Sequence, residues 1–419
     1  MKIHSHLVDR ISDCLRDTFV DNWLPDRAIE KYLRQNPKWG SRDRRFFAEG
    51  VYEVVRWKTL IEYLLASVRN DGQSSQSFQR EWVVGYWLKH RSFPEVDFFS
   101  VQDKKVIEEK LKELQLKAEK NSDAHSLALL QGFPEWMYQW GLSERGVRWD
   151  SIAKSLNHAS TVDLRVNELV TDRKTLIQSL QAEGIETNAI EHLPAGLVLK
   201  ERRNVFTTKA YKNGMFEVQD RASQMVAPFL DPKPGERVID ACAGAGGKSL
   251  HIASLMKNKG KIISMDIHQR KLDELAVRAK RNKISIIETR LIDTTKVIKR
   301  LDQSADRVLL DVPCSGMGVL RRSPGSKWRL SREQVDELKL IQKDILSRYS
   351  QMTKKGGILA YATCSLMPSE NQQQVQEFLK QDESFELIKE MQIDPDQGMG
   401  DGFYCALMKR KISSTIGSD

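Results

Sequence analysis

The chain has 419 residues, 40% hydrophobic and 29% charged, with a formal net charge of +9 and a pI near 9.1. That length exceeds one ordinary core, so two or three domains are expected, and the composition excludes a fibrous or disordered chain. No apolar run has membrane-spanning length, and Met1–His6 leads straight into a polar amphipathic stretch, so neither membrane nor signal peptide is expected, and the cytoplasm is the expected location.

Residues 1–145 read as helices. Ile3, Leu7, Ile11 and Leu15 form one apolar stripe. Phe46 to Val68 keep helical spacing, with Ser41 as the expected N-cap. Asn70–Ser77 has the composition of a loop. Trp82, Val83, Tyr86 and Trp87 mark a further helix, Lys104–Lys120 a solvated one, and Phe133-Pro134-Glu135-Trp136 the start of another. From 146 the pattern changes. Thr161–Asn167 alternates as a strand does, a helix spans Asp172–Glu183, and Leu197–Leu199 is a short strand. These make a small α+β module at 146–220, which Gly214–Asp220 leaves. Over 221–411 strands and helices alternate, with strands expected at Arg237–Asp240, Lys261–Asp266, Ile286–Leu291, Arg307–Asp311, Gly357–Ala362 and Phe403–Met408. That alternation predicts a doubly wound α/β sheet, followed by a frayed tail at 412–419.

The first of these strands runs into Cys242-Ala243-Gly244-Ala245-Gly246-Gly247-Lys248. A glycine-rich turn before a helix lets backbone N–H groups approach a ligand, although many such turns only pack a helix on a strand. Asp266 ends the next strand, where a carboxylate can accept from both hydroxyls of a ribose. The loop lacks the G-x-G-x-x-G of a dinucleotide site, and Cys242 stands where a Walker loop needs glycine. S-adenosylmethionine remains as the cofactor. Asp293, past the third strand, either meets an adenine amino group or caps the helix before Thr294-Thr295.

Five cysteines without a C-x-x-C pair, and eight scattered histidines, indicate neither a disulfide framework nor a metal site. Cys14 and Cys405 suit buried packing, and Cys242 belongs with the cofactor loop. Cys314 and Cys364 follow the ends of two strands in polar, proline-containing segments. If those strands are neighbours, both thiols face one cleft; the plain alternative is a pair of structural cysteines. A cysteine beside a methyl donor suits one demanding task. Thiolate addition at C6 of cytosine makes C5 nucleophilic, C5 takes the methyl, and loss of the C5 proton and the thiol restores the ring. Asp311, if protonated, would donate to N3.

Phe216–Ser223, Cys242–Lys248, Asp311-Val312-Pro313-Cys314-Ser315 and Tyr361-Ala362-Thr363-Cys364-Ser365 together resemble the RsmB/NOL1/NOP2/Sun family of RNA cytosine-C5 methyltransferases. The resemblance covers about residues 150–410. It implies a Rossmann-like catalytic domain at 221–411 preceded by an RNA-binding module at 146–220. It further implies Cys364 as nucleophile, Cys314 as the thiol assisting release, and S-adenosylmethionine held by Cys242–Lys248, Asp266, Asp293 and Asp311. Two departures stand out: Gly244-Ala245-Gly246-Gly247 replaces the usual Ala-Pro-Gly-Gly, and Gly325 stands where relatives often carry an acid. Residues 1–145, through Ser41–Phe46 and Val54–Trp57, resemble the NusB-like helical domain of bacterial members that methylate small-subunit ribosomal RNA.

The basic balance fits a nucleic-acid partner. Arg42, Arg44, Arg45 and Arg56 are candidate phosphate contacts, or else a solvated helix face. Arg321, Arg322 and Lys327, beside Trp328, form a second candidate RNA contact, or an ordinary surface loop. The expectation is therefore a monomeric, S-adenosylmethionine-dependent RNA (cytosine-C5)-methyltransferase forming 5-methylcytidine in small-subunit (16S) rRNA. Transfer RNA as substrate, or a non-catalytic RNA-binding assembly factor, are the alternatives.

Overall fold

The computed structural model describes residues 5–68, 77–121 and 123–412. Ile3, all but the last residue of the expected loop at 70–77, and the tail from 413 lie outside them. The chain divides into two compact units.

The first unit comprises Met1–Asn157 with Arg322–Arg332. Its helices are α1 (Ser5–Phe19), α2 (Pro25–Gln35), α3 (Ser41–Leu65), α4 (Ser77–His90), α5 (Val101–Asn121), α6 (Ala124–Leu130), α7 (Glu135–Arg145) and α8 (Trp149–Leu156). Leu7, Ile11 and Leu15 are buried on one face of α1, as their spacing requires. Ser41 is not a cap: Gly40 takes that place, and Ser41 is the first helical residue. The helix α5 is amphipathic rather than fully solvated, because Ile107, Leu111, Leu114 and Ala118 recur on one turn face and are buried. Helical structure continues past 145. Trp149, Ile152, Ala153 and Leu156 give α8 an apolar face, and Gly141 admits the Trp149 ring, since a Cβ there would lie 2.1 Å from it.

The second unit comprises His158–Arg321 with Glu333–Asp419. Its smaller sheet contains β1 (Asp163–Val166), β2 (Thr187–Ala189), β3 (Gly196–Leu199) and β4 (Phe216–Val218), in the order β2-β3-β1-β4, all antiparallel. The helix α9 (Arg173–Ala182) follows β1. The segment expected to leave this module instead closes its edge through β4. Two of the four strands are only three residues long, too short for a period-two pattern to register.

The larger sheet contains β5 (Arg237–Asp240), β6 (Lys261–Asp266), β7 (Ile287–Leu291), β8 (Ala305–Asp311), β9 (Thr353–Thr363), β10 (Phe385–Ile393) and β11 (Phe403–Arg410). Their order is β10-β11-β9-β8-β5-β6-β7. The five strands β5 to β9 pair in parallel, and β11 pairs antiparallel with β9 and β10. This is the expected doubly wound, Rossmann-like α/β fold. The strand β10 was not foreseen: it is an edge strand whose middle residues are mostly exposed and polar, so it lacks the apolar signal of its neighbours. Helices α10 (Lys209–Lys212), α11 (Arg221–Leu230), α12 (Gly247–Leu255), α13 (Gln269–Arg281), α14 (Thr295–Lys299), α15 (Arg332–Tyr349) and α16 (Gln372–Gln381) complete the chain. The strand order reverses between β5 and β8, with β6 and β7 added on one side and β9 on the other, and ligands bind at the carboxyl ends of strands at such a point.

Candidate active site

The glycine loop lies at that switch point. Gly246 caps α12 with φ +83°, and a Cβ there would overlap Leu275 at 1.9 Å, so only glycine fits. Ala243 N donates to Met265 O at 2.9 Å, which ties the loop to the end of β6. Asp266 holds the turn from outside: Oδ2 accepts from Gly244 N and Oδ1 from His268 N, both at 2.9 Å. Each oxygen retains a lone pair for a ribose hydroxyl. Behind the loop, Asp240 is fully buried and its pKa is pushed up to about 7, chiefly by that burial.

A contact that the sequence did not suggest supports this loop. Arg278 on α13 donates to Ala245 O at 2.6 Å and to Glu217 Oε2 at 2.8 Å. Glu217 on β4 is also held by Arg281 and Asn282. Burial works to raise the Glu217 pKa, but the two arginines overcome it and hold the carboxyl below its ordinary range. The smaller sheet is thereby wired to the loop at Ala245.

A cofactor can be tested against this geometry. A Cβ at Gly244 would meet nothing within 4 Å, and one at Gly247 would meet only Gln219 Nε2 at 3.8 Å, so one side of the loop is open. The buried Asp240 Oδ1 and Gln219 Oε1 have no protein partner. Open backbone and a ribose-competent carboxylate fit a nucleoside cofactor. Asp293 is exposed and precedes Thr294, which occupies the N-cap of α14, so the capping alternative for Asp293 falls away.

The two loop cysteines meet. Asp311 pairs with Ala362 across β8 and β9, so Cys314 and Cys364 leave neighbouring strand ends. Their Sγ atoms are 3.3 Å apart. The hydrogen bond with Cys364, then burial, raises the Cys314 pKa well above its ordinary value, which favours its thiol form; either sulfur can be the donor in the contact. Lys248 Nζ donates to Asp311 Oδ2 at 2.5 Å. Burial would lower the Lys248 pKa, but Asp311, and then Cys364, raise it above its ordinary value. In this pair Lys248 is the donor and Asp311 the acceptor, whereas Asp311 was expected to donate only if protonated. Cys242 also stays a thiol, raised by burial and by Asp240, Asp311 and Asp266. Cys14 and Cys405 are buried, and burial lifts Cys405 to about 12.

The basic candidates separate. Arg42 and Arg45 are exposed, with Arg45 Nε donating to Glu49 at 2.8 Å. Arg44 folds back on the Trp39 carbonyl at 2.9 Å. Arg56 is buried, contrary to its expected place on a solvated or phosphate-facing surface. Arg321 donates to Gly400 O at 2.8 Å, and Arg322 is half-buried. Lys327 requires a correction. It is 1% exposed, and its Nζ donates to Arg56 O, Gly132 O and Asn157 Oδ1 at 3.3, 3.1 and 3.0 Å. A side chain spent in this way has no donor left for phosphate. Trp328 Nε1 donates to Val55 O at 2.7 Å, and a Cβ on Gly325 would lie 2.6 Å from Pro25, which explains why no acid stands there.

Comparison with known proteins places this arrangement. Residues 227–409 match the family model described as 16S rRNA methyltransferase RsmB/F, and residues 133–206 match the Methyltr_RsmF/B-like, ferredoxin-like domain. The chain is 33% identical over 397 residues to a probable ribosomal RNA small subunit methyltransferase B of Synechocystis, covering 88% of this chain and 87% of that protein. The crystal structure of PH0851 superposes with TM-score 0.80 at 25% identity, covering 98% of this chain and all of that one. NSun6 from Pyrococcus horikoshii with SFG shares the fold, with TM-score 0.62 at 21% identity, over 67% of this chain and 99% of that one.

Proposed function

The chain belongs to the RsmB/F family of S-adenosylmethionine-dependent ribosomal RNA methyltransferases, and from that premise we propose that it forms 5-methylcytidine in small-subunit ribosomal RNA. The observation that carries the chemistry is the 3.3 Å approach of two thiols beside a charged lysine. When bound, the cofactor supplies an electrophilic methyl group on a sulfonium. Asp266 would hold its ribose, Gly244–Lys248 its charged end, and Asp293 its adenine.

Cytosine C5 is too weak a nucleophile to take a methyl unaided. The target base leaves any stack, and Cys364 Sγ adds at C6, which turns C5 into an enamine carbon. Lys248, held charged by Asp311, offsets the negative charge that develops on the ring. After methyl transfer the C5 proton is lost, the Cys364–C6 bond breaks, and aromaticity returns. Cys314, kept protonated, stands 3.3 Å from that sulfur and assists its release. The exposed Arg42 and Arg45 are proposed phosphate contacts.

The test is transfer of tritiated methyl to unmodified small subunits, free ribosomal RNA and transfer RNA, followed by nucleoside analysis. 5-Methylcytidine in small-subunit RNA is expected. Label confined to transfer RNA overturns the substrate, and tight RNA binding without label overturns the enzyme reading. Cys364→Ala should abolish turnover, whereas Cys314→Ala should leave an RNA–protein adduct that survives denaturing gels. An adduct trapped by Cys364→Ala instead would reverse the two roles.

A further inference from the structure

Glu370 takes no part in the chemistry above, yet its carboxylate is fully buried and surrounded by donors. Oε1 accepts from Ser315 N at 2.8 Å and from Gln342 Nε2 at 3.0 Å. Oε2 accepts from the Ser315 and Ser365 hydroxyls, each at 2.5 Å. Ser315 directly follows Cys314, and Ser365 directly follows Cys364. One carboxylate therefore grips the residue after each cysteine.

The surroundings tighten the grip. Gln342 also donates to Pro313 O at 3.0 Å, on the other side of Cys314. Asn371 Nδ2 donates to Ser365 O at 3.0 Å, and its Oδ1 accepts from Thr363 Oγ1 at 2.5 Å, so Cys364 is bracketed as well. Tyr361 on β9 fixes the Glu370 backbone by donating to its carbonyl at 2.7 Å. Removing an ionisable carboxyl from water is costly, and an apolar residue could fill the same space without that penalty. What a carboxylate alone provides here is two oxygens that together accept four donors from three segments.

We propose that Glu370 is a positioning residue that brings the Cys314 and Cys364 loops together and holds the two sulfurs at reacting distance. This rests on the two-thiol reading of the site. The measurement is the thiol–disulfide equilibrium of the full chain in a glutathione redox buffer, with the Cys314–Cys364 bond quantified by mass spectrometry. Forming that bond oxidises two thiols by two electrons. Glutathione disulfide accepts the electrons and the two protons and leaves as two thiols, so the equilibrium reads the effective concentration of one cysteine at the other.

Glu370→Gln should lower that effective concentration at least tenfold at every pH tried around neutrality, because its one amide oxygen can keep only part of the four donors and the two serine hydroxyls must turn their protons elsewhere to accept from its N–H groups. The Ser315→Ala/Ser365→Ala double variant should lower it too, with the charge retained. Glu377→Gln, at an exposed position on α16, should leave it unchanged. In methyl transfer, Glu370→Gln should lower kcat tenfold or more and leave KM for S-adenosylmethionine unaltered. Wild-type thiol equilibria in both folded variants would overturn the proposal, as would a change in KM alone. Should Glu370→Gln fail to melt cooperatively, the serine pair decides. A wild-type chain that methylates no RNA would overturn the functional reading, while the thiol equilibrium would still decide the brace.

Discussion

Lys248 and Lys327 are both withdrawn from water, but their partners differ. Lys248 faces the Asp311 carboxylate and is kept charged by it and by the nearby Cys364. Lys327 faces two carbonyls, an amide oxygen and, 3.9 Å away, the Phe133 ring; burial, then Arg56, lowers its pKa well below the ordinary value. A buried lysine with a carboxylate carries a usable positive charge, whereas one given only dipoles serves as a tie. The first arrangement suits catalysis. The second fastens Arg322–Arg332 within the helical unit.

The comparison breaks most sharply on exchanging each lysine for methionine. Lys248→Met should lower kcat for methyl transfer by about 10²–10³-fold, with the melting temperature little changed. Lys327→Met should do the reverse, leaving kcat within about twofold and lowering stability by about 1–3 kcal/mol through three orphaned acceptors. Loss of activity from Lys327→Met in a fully folded protein would remove the distinction.

A pH series sharpens it. Folding lowers the Lys327 pKa, so between that value and the ordinary lysine value of about 10.4 the unfolded chain binds more protons than the folded one. Stability from this group therefore rises with pH across that window and is lost as pH falls through it. Denaturation midpoints should show this slope in the wild type and a flatter one in Lys327→Met.

A smaller effect is expected at the cofactor loop. Arg278→Gln should raise KM for S-adenosylmethionine by about 3–10-fold, the equivalent of one lost hydrogen bond, with kcat unchanged. Ala245→Pro in that background should recover part of the loss if Arg278 supports the turn, because proline would stiffen it. The smallest effect belongs to the surface: Arg45→Ala breaks an exposed pair with Glu49 and should shift stability by less than about 0.5 kcal/mol, while weakening RNA binding if it meets phosphate.

Much of the site was legible because its signals are local. The loop Cys242–Lys248 follows a short apolar strand, Asp266 ends the next, and each loop cysteine follows a strand end, all within a few residues of chain. Glu370, Arg278 and Lys327 were not legible as what they are. A glutamate six residues past Cys364 looks like any polar turn residue, an arginine on a basic helix looks solvated, and a lysine among arginines and a tryptophan looks like a nucleic-acid contact. Burial reverses each of these impressions, and burial depends on residues far away in sequence: Ser315 for Glu370, Ala245 for Arg278, Asn157 for Lys327.

By itself the sequence determined the alternation of strand and helix, the cofactor turn and the two cysteines, because these follow from backbone preference and periodicity over short spans. Tertiary structure alone decided that β8 and β9 are neighbours, that their cysteines meet at 3.3 Å, and that one buried lysine faces a carboxylate while another faces only carbonyl and amide oxygens. Those outcomes turn on desolvation and on which partner a fold brings within hydrogen-bond reach, and neither quantity exists until distant segments have packed.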